Sequence, residues 1–171
     1  MTAQTQANWT DEDETAILNA IDKWVEGEVR PIAREHDQAD SYPHELVEQM
    51  KELGLFGAII SPNYGGLGLP ASTYAKIVLK VAAAWMAPSG IFNSHLIMAS
   101  AIERTGTEEQ KAEWLPKMAT GELRGGIALT EPNAGTDLQA IRTKAEKTNE
   151  GYRLNGTKTW ITNSLNGNCL M

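Results

Sequence analysis

The sequence predicts an α+β fold in which a run of helices precedes the beginning of a β-region. Apolar residues recur with helical periodicity along most of the chain before Leu123. From Gly125 onwards, short apolar or alternating segments are separated by turn-forming residues, which is typical of strands. A length of 171 residues fits one domain, or one domain and part of another. We therefore expect a helical domain over residues 1–123 and the first strands of a second domain over residues 124–171.

The helical region is predicted from apolar periodicity and capping signals. Asp11 is the expected N-cap of the first helix, with Glu14 three residues later. Pro31 should bend or break that helix near residues 28–30, because proline removes a backbone donor and clashes with the preceding turn. Thr107 and Gln110 form a second capping pattern. The expected helical segments are residues 11–30, 31–37, 42–53, 71–85, 88–104 and 107–118.

A loop rich in glycine and proline divides the helical region. Residues 61–70 read SPNYGGLGLP and cannot form a regular helix or strand. The loop follows no clear strand and lacks the GxGxxG spacing, so it does not predict a dinucleotide fingerprint. The two helices after it, over 71–85 and 88–104, are apolar on most faces. They are expected at the centre of a helical bundle.

The β-region is predicted to contain several short strands. Residues 126–129 form an apolar run, and residues 140–147 alternate. Tyr152 and Leu154 precede an Asn155-Gly156 turn, which predicts a hairpin with residues 157–162. Residues 169–171 resemble the start of another strand. Because two hairpins do not make a stable sheet, we expect the chain to be a piece of a longer protein or to need a partner.

Composition excludes several classes of partner. The formal net charge of −7 argues against nucleic acid or anionic lipid as the main ligand. A single cysteine, Cys169, permits no internal disulfide and fits a reducing compartment. No apolar run is long enough for a membrane span. The polar, acidic N-terminus is unlike a signal or transit peptide, so we expect a cytoplasmic protein.

The segment ALTEPNAGTD, residues 128–137, is the first candidate site. An apolar strand leads to Thr130, and the following proline and glycine force a turn. Backbone amides over 134–136 could form a concave nest for an anion such as a pyrophosphate, with hydroxyl groups from Thr130 and Thr136. In the alternative interpretation, both threonines cap backbone turns and Asp137 makes an Asx-turn.

The segment KTWITN, residues 158–163, is the second candidate site. In a strand, alternate residues share a face, so Lys158, Trp160 and Thr162 would point the same way. A flat indole beside a hydroxyl suits a planar heteroaromatic ring with hydrogen-bonding edges. The alternative is a core tryptophan with a polar neighbour.

Four ordered segments resemble the acyl-CoA dehydrogenase family: PNYGGLGLP, GTEEQKAEWLPKMATGE, ALTEPNAGTD and LNGTKTWITN. With the helical pattern before them, the resemblance covers essentially the whole chain. It implies an N-terminal helical domain followed by the truncated beginning of an antiparallel β-barrel domain. It also implies FAD as cofactor, an acyl-CoA substrate, electron-transfer flavoprotein as partner, and a homotetramer or dimer acting in fatty acid metabolism.

The resemblance assigns site residues one by one. The strand before TEP is similar to the family segment that faces the flavin ring, which implies contacts from Ile127, Leu129 and Thr130. Gly135 and Thr136 match the segment at the FAD pyrophosphate and the thioester, with threonine in place of the more usual serine. The remaining matches, Trp160 and Thr162, imply an indole against the flavin and a hydroxyl near flavin N5.

The implied reaction is removal of a proton from Cα by a glutamate and of a hydride from Cβ to the flavin. The family's catalytic glutamate lies in a C-terminal domain, so no catalytic residue is expected in this chain. Glu131 is expected to be structural. Alternatives within the fold are an acyl-CoA oxidase and a flavin monooxygenase. A different class of function is a non-catalytic fragment or binding module.

The histidines give one further candidate. His36, His44 and His95 lack metal-ligand spacing, so no metal site is predicted. By resemblance, His95 could border the acyl pocket and contact substrate. The alternative is a core histidine with satisfied hydrogen bonds.

Overall fold

The structure is a computed structural model that describes residues 9–171. Residues 1–8, which belong to the N-terminal segment interpreted above, lie outside the described residues. Six α-helices make up nearly half of the described chain: α1 (Asp11–Trp24), α2 (Arg30–Ala39), α3 (His44–Glu52), α4 (Ala71–Ala84), α5 (Met86–Thr105) and α6 (Glu108–Ala119). Four strands follow: β1 (Gly125–Gly126), β2 (Lys144–Thr148), β3 (Gly151–Asn155) and β4 (Cys169–Leu170).

The N-cap of the first helix lies one residue earlier than expected. Thr10 Oγ1 accepts a hydrogen bond from the Asp13 amide at 3.1 Å, and the Asp13 carboxylate accepts from the Thr10 amide at 3.0 Å. This reciprocal pair satisfies two free donors of the first turn, so the prediction of Asp11 as N-cap is wrong. Glu14 instead accepts from Thr73 Oγ1 at 2.6 Å and from Lys76 Nζ at 2.8 Å. It therefore attaches α1 to α4.

The predicted irregularity before Pro31 is a π-helical turn over Val25–Val29. The Arg30 amide donates to the Val25 carbonyl, five residues back. Pro31 then occupies the first turn of α2, where a missing donor costs least. The chain thus continues as helix through the proline instead of breaking.

The capping and loop predictions in the middle of the chain are confirmed. Gly54 ends the α3 region with φ of 70°, a left-handed conformation that favours glycine. Residues 61–70 form a loop with one helical turn, Pro62–Tyr64. Thr107 and Gln110 make the reciprocal capping pair of α6.

The hydrophobic core lies between the helices, with α5 at its centre. Nine residues of α5 are buried, whereas α4 buries only Thr73, Ile77 and Val81. Leu79 of α4 is 70% exposed, so the expectation of a central helix is confirmed for α5 and wrong for α4. The other large core side chains come from α1, α3, α6 and the Leu55–Gly57 turn: Ile21, Leu46, Met50, Leu55, Phe56, Leu115 and Met118.

The strand pairing differs from the predicted one. β2 and β3 form an antiparallel hairpin in which Thr148 pairs with Gly151, so the turn lies at Asn149-Glu150. The predicted hairpin around Asn155-Gly156 is wrong, because residues 157–162 do not form a strand. A Cβ on Gly156 would clash with the Thr143 side chain, so this glycine is required for a close approach and not for a turn.

The other predicted strands are shorter than expected. The run over 126–129 contributes only the end of β1, which pairs in parallel with β4. Residues 140–147 contain the end of a helical turn, Leu138–Ala140, before β2 begins at Lys144. Cys169 lies in β4 and is half-buried. The α+β class with helices first is confirmed, and residues 9–171 contain two separate two-stranded sheets but no closed barrel.

Candidate functional site

The ALTEPNAGTD segment is a loop held by its own backbone. The amide of Glu131 donates to the Ala134 carbonyl at 2.9 Å, and the Ala134 amide donates back at 3.1 Å. These bonds close a tight turn over Pro132-Asn133. Asp137 accepts from the Gln139 amide at 3.1 Å, which is the Asx-turn of the alternative interpretation. Thr136 and Gly135 are exposed on the outside of this loop.

Glu131 is the polar anchor beneath the loop. Its side chain is 7% exposed. The carboxylate accepts from the amides of Arg142 and Thr143 at 2.8 and 2.9 Å, and Lys158 Nζ lies 3.0 Å away. The Thr143 hydroxyl, these amides and Lys158 lower the pKa of Glu131 to about 2. This carboxylate is ionised and fully engaged, which fits a structural role and not that of a proton acceptor.

The KTWITN segment adopts a turn in place of the predicted strand. Trp160 has φ of 57°, a left-handed conformation that is rare for a bulky residue. The prediction that Trp160 and Thr162 share one face of a strand is therefore wrong. The indole is nevertheless 91% exposed, so this tryptophan is not part of the core. A tryptophan ring is seldom this exposed in a folded protein.

Main-chain and amide hydrogen bonds hold the two candidate segments together. The Thr159 amide donates to the Thr130 carbonyl at 3.0 Å. Lys158 Nζ donates to the Leu129 carbonyl at 3.1 Å. Asn163 Nδ2 donates to the carbonyls of Ile91 and Gly125 at 2.9 and 2.8 Å. The turn that carries Trp160 is thereby fixed to both β1 and α5.

A cleft of about 840 Å³ opens beside this turn. One wall is the segment after Trp160, including Thr162. The first half of α5 also lines the cleft, including Ser89, Gly90 and Asn93. Residues around Tyr42 complete the lining. We call this space the Thr162 cleft. Its volume is in the range that binds small molecules and cofactor-linked substrates.

His95 lies in the core and not on a cleft wall. Its side chain has 0% exposure, and Nε2 lies 3.1 Å from the carbonyl oxygens of both Phe56 and Met118. Because carbonyls only accept, Nε2 carries the proton, and buried Nδ1 has no partner among residues 9–171. Burial lowers the pKa of His95 to about 4, so the ring is neutral. A substrate contact from this histidine remains a prediction.

The structure brings most predicted site residues to one region. Thr130, Trp160 and Thr162 lie on the joined segments, and Ile127 and Leu129 lead into them from β1. Gly135 and Thr136 lie further along the first loop. Sequence reasoning missed the residues that fix this arrangement. The Asn163 side chain at the end of WITN was the available signal, since asparagine favours left-handed turns, and its φ is 67°.

Two family models match this sequence. The N-terminal domain of acyl-CoA dehydrogenase matches residues 11–122, and the middle domain of acyl-CoA dehydrogenase matches residues 126–171. The chain belongs to the acyl-CoA dehydrogenase family. Its fold is that family's N-terminal helical part followed by a few strands.

Relatives of this acyl-CoA dehydrogenase family member agree in sequence and structure. The short-chain specific acyl-CoA dehydrogenase of Clostridium acetobutylicum is 38% identical over 157 residues, which cover 91% of this chain and 41% of that protein. The butyryl-CoA dehydrogenase structure from Megasphaera elsdenii superimposes with a TM-score of 0.85 at 31% identity, over 96% of this chain and 44% of that one. This chain thus spans about two-fifths of the length of these relatives.

A third match concerns electron transfer. A chain in the solved structure described as the electron transferring flavoprotein of Acidaminococcus fermentans gives a TM-score of 0.87 at 31% identity, over 96% of this chain and 43% of that chain. Among residues 9–171 of this family member, no helix has the length and apolarity that crossing a membrane requires. The same residues contain no cluster of three or more His, Cys, Asp or Glu side chains able to hold a metal ion.

Proposed function

We propose that this chain is the N-terminal part of an FAD-dependent acyl-CoA dehydrogenase that introduces an α,β double bond into an acyl-CoA thioester. One observation carries the proposal. In a member of this family, the exposed Trp160 indole directly precedes Ile161 and Thr162, which line the Thr162 cleft, and its turn is hydrogen-bonded to the ALTEP segment. We further propose that residues 1–123 and 124–171 are two domains.

The chemistry of the indole and hydroxyl groups on the joined segments fits a flavin. A flat indole and the hydroxyl groups of Thr130 and Thr162 suit a planar ring with hydrogen-bonding edges. FAD supplies the redox chemistry when bound, and the protein supplies orientation and hydrogen bonds. The residues proposed to hold FAD are Ile127, Leu129, Thr130, Gly135, Thr136, Trp160 and Thr162.

The proposed acyl site is the Thr162 cleft, with Thr136 at the thioester. The cleft runs from Thr162 to the α5 residues Gly90 and Asn93, so an acyl chain lying there would pass directly beside the proposed flavin-facing turn. The methyl group that Thr136 adds relative to serine would narrow this approach. Proximity and orientation of this kind are how a protein scaffold accelerates a transfer between two bound groups.

No residue of this chain is proposed as the catalytic base. Glu131 is a carboxylate within the joined segments, but it accepts two amide hydrogen bonds and pairs with Lys158. Its lowered pKa makes it a poor proton acceptor near neutral pH. The base is therefore proposed to come from a part of the protein outside these residues.

The proposed partners follow from the family and its neighbours. They are an acyl-CoA substrate, an electron-transfer flavoprotein as acceptor, and further copies of the chain in a homotetramer or dimer. The match to the Acidaminococcus fermentans structure supports the acceptor. The cytoplasmic location expected from the sequence remains a prediction.

The decisive experiment uses the complete protein that carries this chain. It should be purified, reconstituted with FAD, freed of excess cofactor and mixed anaerobically with acyl-CoA thioesters. We expect retained flavin absorbance that bleaches when the substrate is added. A folded complete protein that takes up no flavin would refute the proposal.

Reoxidation separates the alternatives within the fold. A dehydrogenase should pass its electrons rapidly to electron-transfer flavoprotein and slowly to oxygen. Fast stopped-flow reoxidation by oxygen would indicate an oxidase or monooxygenase instead. The 171-residue chain alone should bind ligand at most, because it has no proposed base; turnover by the isolated chain would refute the binding-module alternative.

A further inference from the structure

Asn93 lies on the wall between two spaces. On one side it lines the Thr162 cleft, which Thr162 also lines. On the other side it lines a smaller, mainly apolar cleft of about 480 Å³, together with Leu96 and Ile97. Asn93 is the one polar side chain of α5 that borders both clefts. The orientation of its amide determines whether a ligand meets a hydrogen-bond donor or an acceptor there.

Tyr74 of α4 fixes that orientation. Its hydroxyl donates to Asn93 Oδ1 at 2.7 Å, and its ring packs edge-to-face on Phe92 with centroids 6.3 Å apart. Burial raises the pKa of Tyr74 to about 12, so the hydroxyl keeps its proton at physiological pH. Because the amide oxygen is occupied, the NH₂ group is the free end of Asn93.

That NH₂ group is a hydrogen-bond donor without a partner. Nδ2 of Asn93 makes no hydrogen bond within residues 9–171, and the side chain is only half-buried. The neighbouring amide, Asn163, contrasts with it, because both of its Nδ2 hydrogen bonds go to carbonyls. Asn163 is a structural amide, whereas Asn93 retains unused donor capacity at a cleft wall.

The charges around the cleft restrict what the donor can bind. The titratable side chains that line the Thr162 cleft are His36, Asp37, Asp40 and Tyr42, whereas Arg104 lines the smaller cleft. A ligand carboxylate in the Thr162 cleft would meet the like charges of Asp37 and Asp40, which is unfavourable in a partly desolvated space. A neutral acceptor, such as a carbonyl, hydroxyl or ether oxygen, carries no such penalty.

We propose that Asn93, oriented by Tyr74, selects acyl-CoA substrates whose acyl chain carries an uncharged oxygen acceptor. The inference rests on the proposed function and adds the substrate class to it. A site built to donate a hydrogen bond discriminates against an analogue without the acceptor, because the donor is then left unpaired. Tyr74 acts as a positioning residue for the amide.

The test compares three thioesters of equal chain length on the reconstituted complete protein. They are hexanoyl-CoA, its analogue with a keto oxygen next to the terminal methyl group, and adipoyl-CoA with a terminal carboxylate. We expect the keto compound to have the highest kcat/KM. Calorimetric titration of the oxidised protein should give the same order of affinities without turnover.

Three variants test the role of the Asn93 NH₂ group as a hydrogen-bond donor. Asn93→Leu is nearly isosteric and should lower the ratio of kcat/KM for the keto compound to kcat/KM for hexanoyl-CoA roughly tenfold, the size of one hydrogen bond. Tyr74→Phe should give a smaller loss in the same direction, because the amide survives but is free to rotate. Ser100→Ala, on the same helix but lining only the smaller cleft, is the matched control and should change neither rate.

The outcomes distinguish the two proposals. Suppose that the wild type oxidises acyl-CoAs while Asn93→Leu and Tyr74→Phe keep the wild-type ratio of kcat/KM for the keto compound to kcat/KM for hexanoyl-CoA. In that case the Asn93 inference is wrong and the proposed function stands. A preference for adipoyl-CoA would overturn the uncharged acceptor. If no thioester reduces the flavin, the proposed function fails and the inference fails with it. Thermal melting of each variant shows that it is folded.

Discussion

Lys158 Nζ lies 3.0 Å from Glu131 Oε1 and 3.1 Å from the Leu129 carbonyl, so one ammonium group joins the two candidate segments. The Glu131 carboxylate also holds the amides of Arg142 and Thr143. Lys158 takes no part in the proposed chemistry. Its side chain nevertheless helps to hold the Trp160 turn beside Thr130.

Glu131→Gln should destabilise the β-region at neutral pH, because the NH₂ end of the amide cannot accept a backbone hydrogen bond and the ion pair with Lys158 is lost. The pKa of Glu131 is about 2 in the fold, against an ordinary value of 4.5. The lowered pKa means that its stabilising contribution is present above about pH 4.5 and is lost as pH falls towards 2. Urea unfolding should show a difference between wild type and variant that shrinks over this range. Glu150→Gln, an exposed change in the hairpin turn, is the control and should follow the wild type at every pH.

His95 should make stability fall in a separate, higher pH range. Its pKa is about 4 in the fold and 6.5 ordinarily, so the unfolded chain takes up a proton first. The contribution is present above about pH 6.5 and is lost as pH falls to 4, an effect of about 3 kcal/mol for this shift. Urea unfolding of His95→Gln, which keeps an N–H donor for the Phe56 carbonyl, should show a flatter pH profile.

The same variant tests the predicted substrate contact of His95. If the ring is only structural, the KM for an acyl-CoA should remain that of the wild type in the folded variant. A large rise in KM without loss of stability would instead support a substrate contact. An unchanged pH profile of unfolding would contradict the buried neutral ring.

Gly126→Ala should disrupt the contact between β1 and α5. A Cβ at this position would lie 2.5 Å from Ser94 Oγ and 2.8 Å from the Thr162 carbonyl oxygen. We expect a cost of about 1–3 kcal/mol, typical of overpacking, and weaker FAD retention in the complete protein. Gly27→Ala is the control, because a Cβ there meets nothing within 4 Å. If Gly126→Ala and Gly27→Ala have the same free energy of unfolding, β1 shifts at little cost to accommodate the added methyl group.

Trp160→Gly should separate flavin binding from stability. The left-handed backbone costs tryptophan about 1 kcal/mol, a cost that glycine does not have, and the exposed indole contributes little packing. We expect the free energy of unfolding to be unchanged or slightly higher. The dissociation constant for FAD should rise roughly tenfold, as expected for loss of one aromatic contact. Fluorescence titration with FAD measures it, and Trp160→Phe should lose less affinity. Unchanged affinity in both variants would exclude the indole as a flavin contact.

The helical part of this fold was predictable because its signals are local. The Thr107 capping pair, the glycine stop at Gly54 and the apolar stripes each involve residues within one or two turns of each other. Asp11 was misassigned because Thr10 and Asp13 offer an equivalent pair one residue away. Such errors shift an end and leave the helix in place.

The β-region was less predictable because its partners are distant or compete. Asn155-Gly156 carries a strong turn signal, but Gly156 is used for close approach to Thr143. The true turn, Asn149-Glu150, has a weaker signal followed by Gly151 with φ of 139°. Nothing local predicts a left-handed tryptophan, since Trp160 is held by contacts to β1 and α5 through its neighbours. The segments of the candidate site were found from the sequence, but their geometry was not.

The parallel pairing of Gly125 with Cys169 also has a consequence for biosynthesis. On the ribosome, α1–α6 can pack once α6 has emerged, because their contacts with one another need no later residue. β1 has no partner until β4 has been translated, and the intervening segment includes the exposed side chains of Leu129, Trp160 and Leu165. A nascent chain that stalls within this interval would expose these apolar side chains and the unpaired edge of β1 next to a folded helical domain. We expect chaperones to bind such a chain.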